Sequence, residues 1–504
     1  MIAAASFKAI GPVRLAFAGS LALSLVVALG GSLINKDGIY YIHAARMIAE
    51  QGLGAARQEF SLQFLSILVA GLHRLSGLPL EAAAALINAL FAAGTCALLV
   101  DITRRRLPEA AWAACLVALS LPAFNGLRDE ILREHGFWFF ALLAMWLAMR
   151  WEAQRGWPLA LAVQFALLLA SLFRLEAVAF FPALMLWQAF SAAPGERLKG
   201  VLTIGILPLA GALLAIVVFG AGLLPLPDRL AYFLEAANPL RKLQGFNEAA
   251  AKMAEAVFKY KYSREEAGYI LFFGLLSVIP MKFLKLSGVF LVPLGYLPAR
   301  EPLRAWLARW QPLPWAFLMH VIVLAAFVTH QFFLTGRYVA MLNLLAVPAT
   351  AAGLVLLMRR FPRWRVLMLA LAFFSMASNV VSFMPRKTQV VEAGRWLAAH
   401  AADPARVGME SARFAHYAGW NPFRSVILDK PALAMALAEG RVDMVVVEDS
   451  RKVAGLQEWL AGNGLRIVER FSNKAGDAVV IAARAEAEES RPPLPAPPSG
   501  KKKP

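Results

Sequence analysis

The stretch "RDEILREH", residues 128–135, packs six ionisable side chains into eight positions, immediately ahead of a long apolar run. Asp129, Glu130 and Glu134 are carboxylates of the kind that take a proton from a hydroxyl or orient it. Arg128, Arg133 and His135 are suitable partners for them or for an anion. A second stretch, "KDGIYYIHAARMIAEQG" at 36–52, sets Asp37 beside Lys36 and ahead of Tyr40, Tyr41, His43 and Arg46. On a helix starting near Gly38, Tyr40, His43 and Met47 fall roughly on one face. A third, scattered set comprises Arg174 and Glu176 in "LFRLEAVAFFP", Lys282 and Lys285, and His330, Arg337 and Tyr338 in "THQFFLTGRYVAMLNLLAVP". Basic groups at the edge of an apolar bundle suit a phosphate or pyrophosphate. Each set also has a plain reading: Asp37 as a helix cap, 128–135 as a solvated face with i,i+4 pairing, and Lys282 and Lys285 as side chains reaching lipid headgroups.

What must position these residues is a set of membrane helices. Of the 504 residues 59% are hydrophobic, against roughly 45–50% in globular proteins. Apolar runs near 20 residues recur along the chain, the mark of an all-α polytopic bundle. The spans expected are 13–34, 82–101, 108–124, 136–150, 158–173, 176–190, 200–222, 269–297, 313–334, 338–358 and 366–384. The run 269–297 reads either as one long tilted helix or as a broken one, and the short pair 158–173 and 176–190 reads as a hairpin with Arg174 and Glu176 at its tip. The first apolar run is too long for a signal-peptide core and reads as an uncleaved helix.

The net charge of +18 does not point to nucleic acid, because its basic residues gather in short loops between spans. Arg104 to Arg106, Arg150 with Arg155, Arg197 with Lys199, Arg300 with Arg304 and Arg309, and Arg359, Arg360, Arg363 and Arg365 fall on the side of Lys8 and Arg14. That side is therefore expected to be cytoplasmic. The loops 35–81, 125–135 and 223–268 and everything after about 385 then lie on the outer side. Two helices, 39–51 and 59–77, are expected to lie on the bilayer surface within the first of these loops. Cys96 and Cys115 lie within apolar segments and read as small core residues.

The composition of 385–484 is that of a soluble domain. "RVGMES", "SVILDK", "VDMVVVEDS", "RIVERFS" and "DAVVIAAR" are strand candidates, with helices at 431–440 and 451–463, so a small α/β domain is expected. The tail 485–504 is rich in Pro and Lys and reads as disordered. The sequence has no Gly-rich phosphate loop, HExxH, GxSxG or Cys/His metal cluster.

The first 384 residues resemble the GT-C superfamily of integral-membrane glycosyltransferases. The similarity is to the bacterial family 39-like branch, related to protein O-mannosyltransferases and the lipid A aminoarabinose transferase. It rests on "KDGIYYIHAARMIAEQG", "RDEILREHGFWFFALLAMWLAMRW", "LFRLEAVAFFPALML" and "GRYVAMLNLLAVP". The resemblance implies a polyprenyl-phosphate sugar donor, transfer on the outer face, and inversion at the anomeric carbon. It matches Asp37 to the family's first-loop acid and one of Asp129, Glu130 or Glu134 to the second-loop acid. Arg337 and Tyr338 match the basic–aromatic pair near the carrier phosphate. The match departs at Gly38, where many relatives carry Glu.

The expected acceptor is an envelope lipid, glycan or protein. A hydroxyl acceptor needs a base in reach, whereas a phosphate acceptor does not, and Asp37 would then only orient it. A divalent metal held by Asp37 and the second-loop acids is compatible with the chemistry, but nothing in the residues calls for one. Two other readings are a transporter or flippase for a lipid or envelope precursor, and an O-antigen ligase or polymerase using a lipid-diphosphate donor. A transporter should show repeated halves with helices broken at the midplane, and no convincing repeat is visible.

Overall fold

The computed structural model describes residues 11–31, 33–54, 56, 64–222, 225, 239–296, 303–381, 387–449 and 455–484. The Pro/Lys-rich tail, residues 59–63 of the second surface helix, and 223–224 and 226–238 of the third external loop lie outside them. The chain forms two compact units. One comprises residues 1–30 and 82–382, the other 31–81 and 383–504.

In the first unit every expected span is occupied by helix. Pro12–Leu29, Leu80–Arg106, Pro194–Gly220, Ala267–Tyr296 and Leu313–Gln331 are long and apolar enough to cross a membrane. The pair Gly336–Leu345 and Val347–Arg360, bent by 59°, is long and apolar enough when taken together, as a broken span or a re-entrant loop. Pro348 explains the bend: it sits in the first turn of the second helix, has no N–H to give, and its ring clashes with a preceding carbonyl. Trp157–Phe173 and Leu175–Ser191 are apolar but shorter. The chain is thus a multi-pass membrane protein. The run expected at 269–297 is helical from Ala267 to Ser287 and passes through a short 3-10 turn at Gly288, where φ is 52°, before helix resumes at Leu291.

The helices Glu134–Gln154 and Trp157–Phe173 form a tight antiparallel pair. A glycine permits the approach: a Cβ on Gly136 would fall 2.4 Å from the Phe173 ring. Trp138, Trp151 and Trp187 are fully buried, the large side chains around which the neighbouring helices pack.

In the second unit, strands β1 (Val407–Met409), β2 (Val426–Ile427), β3 (Met444–Asp449), β4 (Leu465–Ser472) and β5 (Ala478–Arg484) form one sheet in the order β2-β1-β3-β5-β4. The first three are parallel, and β5 and β4 are antiparallel. Alternation along β3 and β5 builds two apolar layers. Val446, Val479 and Ile481 pack with Val390, Leu397 and Phe414, and Val445, Val447 and Val480 pack with Leu433, Leu437 and Leu460. The helices Thr388–His400 and Ala412–Tyr417 that cover the first layer are absent from the sequence-based expectation.

The first loop also departs from expectation. Its helix Lys36–Gln51 is buried at nearly every position from Gly38 to Ile48, so it is not a one-faced helix resting on lipid. Phe64–Ser76 packs on it, and the Ser66 hydroxyl donates to the Tyr41 carbonyl at 3.0 Å. Arg74 closes its C-terminus by donating to the carbonyls of Ile48 and Ala49.

The packing at Gly353 can be tested directly. A Cβ there would fall 2.0 Å from the Pro293 carbonyl oxygen, a backbone atom that cannot rotate away. Gly353→Ala is expected to cost about 1–3 kcal/mol through overpacking. A thermal melt of the purified protein should show a lower midpoint, whereas Gly211→Ala, with open space at its Cβ, should melt as the parent does.

Candidate active site

The first unit holds a narrow polar cleft between the start of the Glu134–Gln154 helix, the Arg174 tip, the Leu313–Gln331 helix and the start of Gly336–Leu345. Its free volume is about 10 Å³, room for roughly one water molecule. Glu134, Arg174, Glu176, His320, Arg337 and Tyr338 supply its polar lining.

Glu134 is the first residue of its helix and 2% exposed. Its Oε1 accepts from Arg174 Nη1 at 2.5 Å and lies 3.4 Å from Arg337 Nε. Its Oε2 is buried without a hydrogen-bond partner among the described residues. Arg174 also donates from Nε and Nη2 to the two oxygens of Glu176. The chain is extended at Arg174, where the Trp157–Phe173 helix ends, and this turns the side chain back toward Glu134. The Tyr338 ring lies beneath both cations, 4.4 Å from the Arg174 guanidinium and 5.4 Å from that of Arg337. His320 Nε2 is 3.0 Å from the Tyr338 carbonyl and helps to hold that turn.

The two arginines therefore differ in what they can do. Arg174 is 7% exposed and bridges two carboxylates, so it anchors. Arg337 has a side chain 26% exposed, with its Nε 3.4 Å from Glu134, so it is the more accessible of the two cations.

The other residues of 128–135 go elsewhere. Arg128 is buried and donates to Asn125, Ser24 and both oxygens of Ser20, locking the loop to the first helix. His135 Nε2 contacts the Leu127 carbonyl at 3.2 Å, and its ring packs edge-on to Trp138. Asp129 is exposed, and Glu130 and Arg133 are half-buried. Of the three second-loop acids offered by the sequence, Glu134 is the one in the cleft. Lys282 is half-buried on the Ala267–Ser287 helix and Lys285 is exposed there; neither lines the cleft. His330 is exposed at the end of its helix, and the cleft histidine is His320, which the sequence reading passed over.

In the second unit Asp37 is half-buried as the second residue of the Lys36–Gln51 helix, whose N-cap is Asn35. Asp37 is therefore not the cap; it lies in the first turn, where the helix dipole favours a carboxylate. Lys36 is exposed and Tyr41 is buried. The Tyr40 ring is 5.3 Å from Phe423. Burial, together with the charge of Asp37, raises the Tyr40 hydroxyl above its usual pKa.

The entry to this helix is held by the Ala412–Tyr417 segment. Arg413 donates to the Ile34 carbonyl at 3.1 Å, and the Ile34 N–H donates to the Tyr417 hydroxyl at 3.3 Å. His43 Nε2 lies 3.3 Å from His416 Nδ1, and His416 Nε2 lies 3.6 Å from Glu81. No sequence signal pairs these residues, which are more than 330 positions apart. Among the described residues no group of three or more His, Cys, Asp or Glu side chains is arranged to hold a metal ion.

No protein-family model and no curated protein sequence matches the chain. Solved structures do. ArnT from Cupriavidus metallidurans bound to undecaprenyl phosphate aligns over 93% of this chain and 97% of its own, at 13% identity, with a TM-score of 0.53. Its apo form aligns over 91% and 96% at 12% identity, with a TM-score of 0.50. The arabinofuranosyltransferase AftD from Mycobacteria aligns over 94% of this chain and 41% of its own at 14% identity, with a TM-score of 0.49. At such identities the likeness is one of fold. The chain has the fold of ArnT, with a small α/β domain after the helices.

The histidine pair generates a pH prediction. Burial, then the charge of Arg46, then His416, lowers the His43 pKa from 6.5 to about 3. His43 is thus neutral in the folded protein, while the unfolded chain takes up a proton below about pH 6.5. The stability this neutrality provides is complete above pH 6.5 and is lost as the pH falls toward 3. The slope is about 1.4 kcal/mol per pH unit at most. Melting midpoints between pH 7.5 and 5 should fall, and His43→Gln should flatten that part of the profile.

Proposed function

We propose that this chain is a membrane glycosyltransferase that moves a sugar from a polyprenyl-phosphate carrier to an envelope acceptor at the outer face of a bacterial inner membrane. The observation that carries the reading is the Glu134–Arg174–Arg337 cleft over Tyr338, found in a fold shared with a transferase solved bound to undecaprenyl phosphate. The distribution of Lys and Arg among the loops supports a cytoplasmic N-terminus and a periplasmic C-terminal domain.

The chemistry follows from charge. An acceptor oxygen attacks the anomeric carbon from the face opposite the phosphate, forming one C–O bond as the carbon–phosphate-oxygen bond breaks, with inversion. The carrier phosphate leaves with the bonding electron pair and gains negative charge. Arg337 meets that charge as it develops, in a site where an apolar bundle excludes water and strengthens the interaction. Arg174 keeps the opening together, tied to Glu134 and Glu176, and Tyr338 fixes the planes of both guanidinium groups. Asp37 is the proposed base for a hydroxyl acceptor, on its match to the first-loop acid. It sits in the first helical turn, where the helix dipole favours a carboxylate.

Transfer is measured with the purified protein in liposomes and a labelled polyprenyl-phosphate sugar. Arg337→Ala should lower kcat/KM by roughly 10²–10³-fold, with Arg337→Lys intermediate because it keeps the charge and loses the fork. Asp37→Asn should lower transfer to a hydroxyl acceptor by about 10²-fold or more. Full transfer by a normally folded Asp37→Asn protein would remove Asp37 from the mechanism, and full transfer by Arg337→Ala would remove the cleft.

A further inference from the structure

The turn joining the helices Glu134–Gln154 and Trp157–Phe173 carries a cost that its packing does not require. Arg155 takes φ 52°, a conformation that side-chain-bearing residues avoid, and it is followed by Gly156 at φ 110°. A two-residue turn of this kind would be met more cheaply by a second glycine. Backbone strain retained against an easier alternative is a pointer to function.

Here the unusual backbone places a guanidinium. Arg155 lies 4.4 Å above the ring of Trp151, which is 2% exposed, and its Nη1 donates to Gln188 Oε1 at 3.2 Å. Gln188 is itself 2% exposed, and Gly200 opposite it has no room for a Cβ, which would fall 2.6 Å from that same amide oxygen. Two buried groups thus fix an exposed cation. Beside it opens a cavity of about 230 Å³ whose lining adds Lys199, Thr203 and Trp157. Trp157 is 56% exposed, as suits an indole at the boundary between chains and headgroups.

The position is equally definite. Glu134 and Trp151 lie near opposite ends of one 21-residue helix, roughly 30 Å long at 1.5 Å per residue, the thickness of a bilayer's hydrocarbon core. The Arg155 cavity is therefore at the membrane face away from the cleft, among the Arg- and Lys-rich loops.

We infer that this cavity binds the phosphate headgroup of an anionic phospholipid of the leaflet opposite the active-site cleft. Arg155 and Lys199 engage the phosphate, and Trp157 packs against the glycerol and upper chains. Glu196 lines the same cavity 3.9 Å from Lys199 and opposes an anion, so it sets an upper limit on affinity. This assignment is independent of the proposed transfer reaction.

The test follows thermal unfolding of the full-length protein in neutral detergent during titration with phosphatidylglycerol, phosphatidylcholine or inorganic phosphate. Phosphatidylglycerol should raise the midpoint saturably, and the other two should not. Arg155→Gly, which relieves the backbone, and Lys199→Ala, at a side chain 77% exposed, should each weaken the apparent affinity about tenfold, the weight of one charge-assisted hydrogen bond. Glu196→Gln should strengthen it. Arg363→Ala, an exposed arginine on the same charged face, should titrate as the parent does. Equal shifts with phosphatidylcholine or with inorganic phosphate would overturn the inference. So would parental titration by both Arg155→Gly and Lys199→Ala, or an equal loss in Arg363→Ala.

Discussion

A carboxylate at 2% exposure in an apolar bundle needs partners for its oxygens, and Glu134 finds them in arginines from two distant segments. Removing an ion from water costs several kcal/mol, recovered only when geometry and hydrogen bonds are both favourable. This single requirement places the start of one helix, the tip of a hairpin and the start of a third helix in one cleft. Tyr338 and His320 then serve that placement, one beneath the guanidinium groups and the other on the carbonyl behind them. The network leaves the second Glu134 oxygen without a hydrogen bond among the described residues and the Arg337 side chain 26% exposed.

The second unit solves a different problem. The helix carrying Asp37 is short and has no side-chain cap, and its entry would be loose if solvent alone met the Ile34 backbone. Arg413 and Tyr417 bond both polar groups of Ile34, and His416 meets His43 nine residues further on. The α/β sheet provides the rigid base for this, because Phe414 and Ala415 of the same segment are sunk in its first apolar layer. The α/β domain thus gives the first loop a fixed conformation.

Much of this architecture is readable in the residues. Length and apolarity of the runs decide where helices form, because an unpaired backbone in lipid is too costly. Continuous apolar runs mark β3 and β5, each apolar on both faces of the sheet. The two covering helices Thr388–His400 and Ala412–Tyr417 escaped because one follows directly on the last span and the other is only six residues long. The burial of the Lys36–Gln51 helix escaped for another reason. Its mixed polar composition suits a membrane surface or a protein interior equally, and only the presence of partners distinguishes them.

The candidate site shows the same division. The sequence by itself determined which residue types were available: acids crowded at 128–135, an Arg–x–Glu tip at 174–176, an Arg–Tyr pair at 337–338 and an acid at 37. It did not determine which of Asp129, Glu130 and Glu134 enters the cleft, or that His320 is there and His330 is not. Those choices rest on the rotation of each helix about its axis and on the extended turn at Arg174. Both are set by packing between segments 37 to 203 positions apart, such as the Gly136–Phe173 contact, and no local pattern encodes a contact at that separation.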